Sequence, residues 1–269
     1  MDDGGAVAEP MDTGRAHPAR VYDFLLGGKD NFAADREAAA AGLKVNPNAA
    51  TAPLQNRAFL RRVVRFLAAE AGIRQFLDIG TGLPTSPNVH EVAQAVDPAA
   101  RIVYVDNDPI VLTHARALLT SEPEGRTAYV DANLHHVDQI LAAPDLRGTL
   151  DLDRPVAVLL LAILHFFDDD HDPYAIVERL TAALPSGSYL VVSHITADYE
   201  PEQWARFTEI MRRQGITTRL RSQPEVARFF TGLDVVEPGV VPILQWRPEQ
   251  EAQLSDAQAA LYGGVGRKP

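Results

Sequence analysis

Two apolar patterns alternate along the chain from residue 75 onward. Short continuous apolar runs are typical of buried strands, and stretches with an apolar residue every three or four positions are typical of amphipathic helices. The runs predict seven strands, the last of them at a sheet edge: Gln75–Ile79, Ile102–Val105, Thr127–Val130, Val156–Ala162, Tyr189–Ser193, Leu233–Val236 and Tyr262–Lys268. Regular alternation of strands and helices indicates an α/β protein with a mostly parallel sheet.

The segments between these strands predict helices over residues 88–95, 109–119, 174–184, 201–214 and 225–230. Two further helices are predicted before the first strand, at Ala33–Leu43 and Asn56–Ala71. The second is amphipathic, with one apolar face made by Phe59, Leu60, Val63, Val64 and Leu67. Residues 1–18 are small, polar and acidic, and we expect them to be disordered. Residues 19–72 are predicted to form a helical lid, and residues 73–269 the α/β domain.

The most informative motif joins two of the predicted strands. The first strand ends in Asp78, and Gly80 and Gly82 follow it; the second strand ends in Asp106, 28 positions after Asp78. Glycines let the backbone turn tightly and let a ligand approach it closely. A carboxylate at the end of the second strand can accept both hydroxyl groups of a ribose. The motif therefore predicts an adenine nucleoside at the carboxyl edge of the sheet.

Charge decides which nucleoside cofactor fits. A dinucleotide fold needs a third glycine and a bare helix N-terminus facing pyrophosphate, but position 85 is Thr85. Asp78 would repel a pyrophosphate and attract a cation. S-adenosylmethionine carries a sulfonium and an ammonium group and no phosphate. The motif thus favours S-adenosylmethionine over NAD. The alternative is that Gly80 and Gly82 form an ordinary strand-to-helix turn that binds no ligand.

Several segments resemble the class I S-adenosylmethionine-dependent methyltransferases, and in particular a bacterial family known as S-adenosyl methyltransferases. The segments that carry the resemblance are 19–31, 78–85, 88–91, 104–109, 237–241 and 263–268. The glycine-rich segment 19–31 is the most specific, because generic methyltransferases lack it. The resemblance covers nearly the whole chain from Ala19.

This resemblance implies a Rossmann-like, seven-stranded, mostly parallel sheet with helices on both faces. The last strand would insert antiparallel between the fifth and sixth. The resemblance also implies that Asp78, Gly80 and Gly82 border the methionine part of the cofactor and that Asp106 holds the ribose. Asp131 would face the adenine amine, with the Ala132 amide on the ring. The acceptor of the methyl group does not follow from it.

Four further residues are candidates for contact with the cofactor. Arg57 could bind the methionine carboxylate with two hydrogen bonds, although a solvated helix face is the default for Arg57, Arg61 and Arg65. Tyr22 could stack on the cofactor or hydrogen-bond to it, or could be a core aromatic of the lid. Asn107 follows the second strand closely and Ala162 ends the fourth, and we place both beside the cofactor as well.

His165 is the candidate catalytic base, because it follows the fourth strand where donor methyl and acceptor should meet. The alternative is a histidine that positions the cofactor or packs under it. His194 lines the acceptor pocket or packs in the core. His135 and His136 are interpreted as a surface helix start. The acidic run 168–172 could hold magnesium, but a solvated loop that caps the next helix is favoured, so no metal site is predicted.

Composition narrows the possible functions. The formal net charge is −11, which argues against a nucleic-acid substrate. Cysteine is absent, which excludes disulfides, thiol nucleophiles and the cysteine-held cluster that radical use of S-adenosylmethionine needs. No apolar run reaches membrane-spanning length, and no signal peptide is visible, so we expect a cytoplasmic protein. We expect it to be an enzyme that methylates a small molecule, at oxygen in preference to nitrogen. The alternative is a non-catalytic module that senses S-adenosylmethionine and acts through a protein partner.

Overall fold

Eight strands form the central sheet of the computed structural model, which describes residues 12–118, 121–250 and 253–269. In chain order the strands are β1 (Gln75–Ile79), β2 (Arg101–Asp106), β3 (Arg126–Asp131), β4 (Ala157–Leu161), β5 (Tyr189–Ile195), β6 (Asp234–Val235), β7 (Val241–Pro242) and β8 (Leu261–Arg267). The order across the sheet is β3-β2-β1-β4-β5-β8-β6, and β7 also pairs with β8. Strands β1 to β5 are parallel, and β8 runs antiparallel to its neighbours.

The position of β8 corrects one prediction and confirms another. The apolar pattern predicted Tyr262–Lys268 as an edge strand, and this is wrong because β8 lies between β5 and the short strands β6 and β7. The antiparallel insertion implied by the family resemblance is confirmed. Glycines make β8 look like a weak strand, but they are needed there: a Cβ at Gly263 would lie 2.7 Å from the Phe59 ring. Within the described ranges the strand count is eight, because the two-residue strands β6 and β7 share the outermost position.

Helices cover both faces of the sheet. They are α1 (Pro18–Leu25), α2 (Ala33–Val45), α3 (Thr51–Ala69), α4 (Val89–Gln94), α5 (Pro109–Leu118), α6 (Val137–Ala142), α7 (Pro144–Thr149), α8 (Pro173–Ala182), α9 (Pro201–Arg213), α10 (Gln223–Ala227) and α11 (Asp256–Ala259). Each face has its own hydrophobic cluster: in β1, Leu77 packs into one cluster and Phe76 into the other. The α/β fold with helices on both faces is therefore confirmed.

Helices α1 and α2 pack on α9 and form a third hydrophobic cluster with it. Asp35 of α2 is fully buried and accepts hydrogen bonds of 2.8 Å from the backbone N–H groups of His17 and Phe32. Because these bonds tie the start of α1 to the start of α2, the two N-terminal helices form one packed unit above the carboxyl edge of the sheet.

Two predictions reach residues outside the described ranges. The expected disorder of residues 1–18 falls partly on residues 1–11, and the predicted helix 109–119 includes Leu119; residues 1–11 and 119 are not among those described. Within the described ranges, no helix is long and apolar enough to cross a membrane.

Candidate functional site

A cavity of about 280 Å³ lies at the carboxyl ends of β1, β2 and β4, and α1 covers it. Nine of the ten residues predicted to contact a cofactor line this cavity: Tyr22, Arg57, Asp78, Gly80, Gly82, Asp106, Asn107, Ala132 and Ala162. Asp131 is not among the lining residues; its side chain is exposed at the end of β3. Instead, residues 132–135 of the turn after β3 form part of the cavity wall.

The glycine turn after β1 is held by the carboxylate at the end of β2. Gly80 and Gly82 have φ angles of +73° and +65°, in the left-handed region where a side chain is strained. Asp106 accepts a 2.9 Å hydrogen bond from the Gly82 N–H through Oδ2 and a 2.9 Å bond from the Asp108 N–H through Oδ1. Each carboxylate oxygen keeps a further lone pair for a ligand. The two motif halves, far apart in sequence, thus form one structural unit.

These two glycines should tolerate alanine differently. A Cβ at Gly82 meets nothing within 4 Å, whereas one at Gly80 would lie 2.7 Å from two side-chain atoms of Ile163. We expect Gly82→Ala to cost only the left-handed strain, about 1–2 kcal/mol. Gly80→Ala should cost about 1–3 kcal/mol more, because it overpacks the site. Thermal unfolding of the two variants measures this difference, and an equal or larger loss for Gly82→Ala would contradict the assigned geometry.

Two carboxyl groups are buried in the cavity wall. Burial raises the pKa of Asp78 to about 6, although a 3.1 Å hydrogen bond from the Thr81 hydroxyl and the charge of Arg57 lower it. Burial also raises the pKa of Asp106, while the N–H groups of Asp108 and Gly82 lower it. A cationic ligand would favour the ionised form of both groups. The electrostatics of the cavity therefore suit a cation better than a phosphate.

The raised pKa of Asp78 predicts how binding of a cationic cofactor depends on pH. Below about pH 6 the carboxyl of the free protein is protonated, and binding must release that proton. We expect the affinity for S-adenosylmethionine to be about tenfold weaker at pH 5 than at pH 7. Calorimetry at both pH values measures this ratio. Asp78→Asn should bind weakly at both, and a variant that keeps the tenfold ratio would show that another group titrates.

Arg57 lies in the second turn of α3 and not at the helix N-terminus, because the helix begins at Thr51. Its Nη2 donates to the backbone carbonyls of Thr85 and Pro87 and so holds the loop that follows the glycine turn. Its Nε is buried and has no hydrogen-bond partner among the described residues. The predicted bond to the methionine carboxylate stays a prediction, and the guanidinium keeps a donor for it.

A chain of hydrogen bonds joins the N-terminal helix to the end of β4. The Tyr22 hydroxyl donates to the Pro53 carbonyl over 3.2 Å and accepts from Asn56 Nδ2 over 3.0 Å. Asn56 Oδ1 accepts from the Ser193 hydroxyl over 2.6 Å, and Ser193 Oγ accepts from the Ala162 N–H over 2.9 Å. Ala162 has a φ of +55°, a strained conformation for a residue with a side chain. Burial raises the pKa of Tyr22, so its hydroxyl stays protonated.

The two adjacent glycines of the N-terminal segment lie beside a buried carboxylate. Gly27 and Gly28 do not line the cavity. A Cβ at Gly28 would lie 2.0 Å from Oδ1 of Asp23, and Asp23 Oδ2 accepts bonds from Asp30 N and Asn31 Nδ2. The loop therefore wraps around the carboxylate of Asp23. From α1, Pro18, Ala19 and Tyr22 border the cavity.

His165 borders a second, smaller cavity of about 70 Å³ and not the large one. Five residues line both cavities and mark their junction: Pro18, Tyr22, Asn56, Ala162 and Phe166. His165 is buried, and its Nδ1 has no hydrogen-bond partner in the described part of the chain. Burial, and then the charges of His194 and Arg221, hold the pKa of His165 well below its usual range. Its imidazole is therefore neutral.

His194 lines neither cavity. It is fully buried, its Nδ1 donates to the Ile195 carbonyl over 2.8 Å, and its Nε2 accepts from Arg221 over 3.0 Å. Of the two roles considered for it, packing is the one that the structure supports. Burial lowers the pKa of His194 to about 3.

Two residues of the acidic run 168–172 make structural contacts, one of them a cap on the following helix. Asp172 accepts a 3.2 Å bond from the Ala175 N–H at the start of α8, and Asp169 pairs with Arg221 over 2.9 Å. Among the described residues, no group of three or more His, Cys, Asp or Glu is arranged to hold a metal ion.

Sequence reasoning missed several cavity residues. His135, assigned to a surface helix start, lines the cavity, because α6 begins only at Val137. Its ring lies 4.6 Å from that of Phe167, which also borders the cavity. His17 reaches the site from before α1 and pairs with Asp108 over 3.1 Å. No spacing rule in the sequence predicted His17 or His135 as cavity residues. Asn56, which also lines the cavity, stood at the start of a predicted amphipathic helix.

The fold and the cavity define a class: Rossmann-like proteins that hold a nucleoside cofactor at the carboxyl ends of parallel strands. The chain belongs to the S-adenosyl methyltransferase family, which it matches over residues 5–269. Family membership confirms the predicted class of enzyme and its cofactor, S-adenosylmethionine, over the NAD alternative.

Two solved structures resemble the whole chain. A DUF574 family protein from Streptomyces avermitilis is 50% identical, with a TM-score of 0.94, over 97% of this chain and 100% of that one. A methyltransferase candidate from Thermobifida fusca is 42% identical, with a TM-score of 0.89, over 98% and 99% of the two chains.

A curated relative matches only in part. The carboxy-S-adenosyl-L-methionine synthase of Chromohalobacter salexigens is 28% identical over 134 residues, which are 48% of this chain and 44% of that protein. The match thus spans less than half the length of either protein.

Proposed function

We propose that this protein transfers the methyl group of S-adenosylmethionine to an oxygen atom of a small molecule. One observation carries the proposal: a second cavity opens beside the cofactor cavity, and both share the wall made by Tyr22, Asn56 and Ala162. A methyltransferase needs space for an acceptor next to the sulfonium. A sensor that only binds the cofactor needs none, so the second cavity argues against that alternative.

The large cavity offers a contact for each part of the cofactor. Asp106 would accept the ribose hydroxyls, and Arg57 would bind the methionine carboxylate. Asp78 would attract the cationic end of the molecule. Adenine would lie against Ala132, and Asp131 would reach its amine only if the exposed side chain turned inward. The sulfonium methyl would then point toward the junction of the two cavities.

Most of the catalysis would come from proximity and orientation, because the sulfonium is already an activated donor. The residues at the junction would hold acceptor oxygen and donor methyl in line. His165, neutral and next to the junction residue Phe166, would accept the proton that a hydroxyl acceptor loses.

Transfer of a labelled methyl group tests the proposal. The full-length protein is incubated with S-adenosylmethionine carrying a tritiated methyl group and a panel of small alcohols, phenols, carboxylic acids and amines. We expect label in a methyl ether or ester and release of S-adenosylhomocysteine in equal amount. Label transferred only to amines would contradict methylation at oxygen. Tight cofactor binding without transfer to any compound would support the sensor.

A further inference from the structure

We propose that the second cavity binds the acceptor and selects a small, uncharged, largely apolar molecule, whose hydroxyl group faces the cofactor. This inference rests on the proposed function, since it assigns the chemistry of the acceptor for that same reaction. It narrows the acceptor from any small hydroxyl or carboxyl compound to a neutral one.

The wall of the cavity is apolar on nearly every side. Helix α9 contributes three large side chains, Trp204, Phe207 and Met211, and α1 and α3 also line the cavity. The other apolar lining residues come from α1, from α3 and from positions elsewhere in the chain. Such a wall gains free energy only by covering apolar surface of a ligand.

Among the described residues that line this cavity, none is Asp, Glu, Lys or Arg. Those with polar side chains are Tyr22, Asn56, His165 and Thr218, and Trp204 adds an indole N–H. Burial raises the pKa of Tyr22 and lowers that of His165, so both are neutral near pH 7. A carboxylate or ammonium group would be buried there without a counter-ion, which is strongly unfavourable. An acceptor that carries such a group is therefore disfavoured.

The polar groups set the orientation of the acceptor. Tyr22 and Asn56 line both cavities, whereas the side chains of α9 line only the second one. Away from the junction the cavity offers a hydroxyl group only His165, Thr218 and the buried Nε1–H of Trp204, which has no partner among the described residues. In the proposed orientation the hydroxyl group bonds to Tyr22 or Asn56 at the junction, and the alkyl group lies against Phe207 and Met211. This orientation directs the acceptor oxygen toward the donor methyl.

The volume limits the size of the group that is bound. The cavity holds about 70 Å³, roughly half of the 150 Å³ of an apolar cavity that accommodates benzene. A branched alkyl group of a few carbon atoms fits, and a larger acceptor would have to extend through the opening. Thr218 is only partly buried, and we place it at that opening.

Atoms and charges balance when the methyl group is transferred to a neutral hydroxyl group. The hydroxyl oxygen forms a bond to the methyl carbon while the carbon–sulfur bond breaks, and the electron pair of that bond stays on sulfur. Sulfur becomes a neutral thioether. The hydroxyl proton moves to the imidazole of His165 as the oxygen–carbon bond forms, so the acceptor becomes a neutral ether and His165 an imidazolium. The lowered pKa of His165 does not prevent this step, because the hydroxyl becomes as acidic as a protonated ether, a far stronger acid than an imidazolium, while the bond forms.

Binding of three probes of similar shape tests the inference. The full-length protein is saturated with S-adenosylhomocysteine and titrated by calorimetry with isobutanol, isobutyrate and isobutylamine. We expect isobutanol to bind at least tenfold more tightly than either ion, because only the ions bury an unpaired charge. Equal or tighter binding of either ion, or no binding of isobutanol to the saturated protein, would overturn the inference.

Substitutions at two neighbouring threonines show where the probe binds. Thr218→Phe should fill the cavity and abolish isobutanol binding, while affinity for S-adenosylhomocysteine changes by less than about threefold. Thr217 is exposed and lines neither cavity, so Thr217→Phe should leave both ligands bound. Unchanged isobutanol binding by Thr218→Phe would place the probe elsewhere and overturn the inference. Failure of the wild-type protein to bind S-adenosylhomocysteine would instead overturn the proposed function.

Discussion

Replacement of His165 by asparagine is expected to lower turnover by roughly 10²–10⁴, the usual span for the loss of an acid–base group. Affinity for S-adenosylmethionine should stay within a few-fold, because His165 lines the second cavity and not the cofactor cavity. Turnover is measured at saturating donor with an acceptor found in the labelled-methyl screen, and affinity by calorimetry.

Affinity and turnover of His165→Asn together separate a base from a residue that only positions the cofactor or packs. Burial keeps the pKa of His165 well below its usual range, so wild-type turnover should show no loss from its protonation between about pH 6 and 8. If affinity and turnover fall together in His165→Asn, the histidine positions the cofactor and is not the base. Unchanged turnover would exclude it from the reaction.

Replacement of Asp106 by alanine should weaken S-adenosylmethionine binding by on the order of 100-fold or more. Two hydrogen bonds from ribose hydroxyls to a carboxylate are worth roughly 1.5–3 kcal/mol each, and each 1.4 kcal/mol is about tenfold in affinity. The variant also loses the acceptors for the N–H groups of Gly82 and Asp108, so the glycine turn is released. Calorimetry with S-adenosylmethionine measures the effect.

Asp108→Ala is the matched control for Asp106→Ala. Asp108 is also buried, but it does not line the cavity; it caps α5 through the Ile110 N–H over 2.9 Å and pairs with His17. We expect a loss of stability of about 1 kcal/mol and a smaller loss of affinity than in Asp106→Ala. Equal losses of affinity with unchanged melting temperatures would refute the assignment of the ribose to Asp106.

The parallel part of the sheet could be predicted from the sequence because its strands are buried on both faces. Such strands are continuous apolar runs, and β1, β2, β4 and β5 match the predicted runs to within two residues at each end. Strand β8 was misplaced because its glycines carry no such signal. Their role depends on side chains such as Phe59 and Phe230, which come from distant parts of the chain.

That Asp78 and Asp106 line one cavity was predictable for a similar local reason. Parallel strands bring their carboxyl ends to one edge, so Asp78 and Asp106 had to lie close together whatever else the chain did. The second cavity was not predictable, because its walls come from α1, α3 and α9, which meet only through tertiary packing. Likewise, the sequence showed two glycines at positions 27 and 28 but not the Asp23 carboxylate that they enclose.

A crystal structure of the full-length protein with S-adenosylmethionine tests the central claim most directly. We predict that the ribose hydroxyls donate to Asp106 and that the sulfonium methyl points at the junction formed by Tyr22, Asn56 and Ala162, with the second cavity open beyond it. A cofactor that fills both cavities, or a methyl group turned toward a closed wall, would contradict methyl transfer to an acceptor bound in the second cavity.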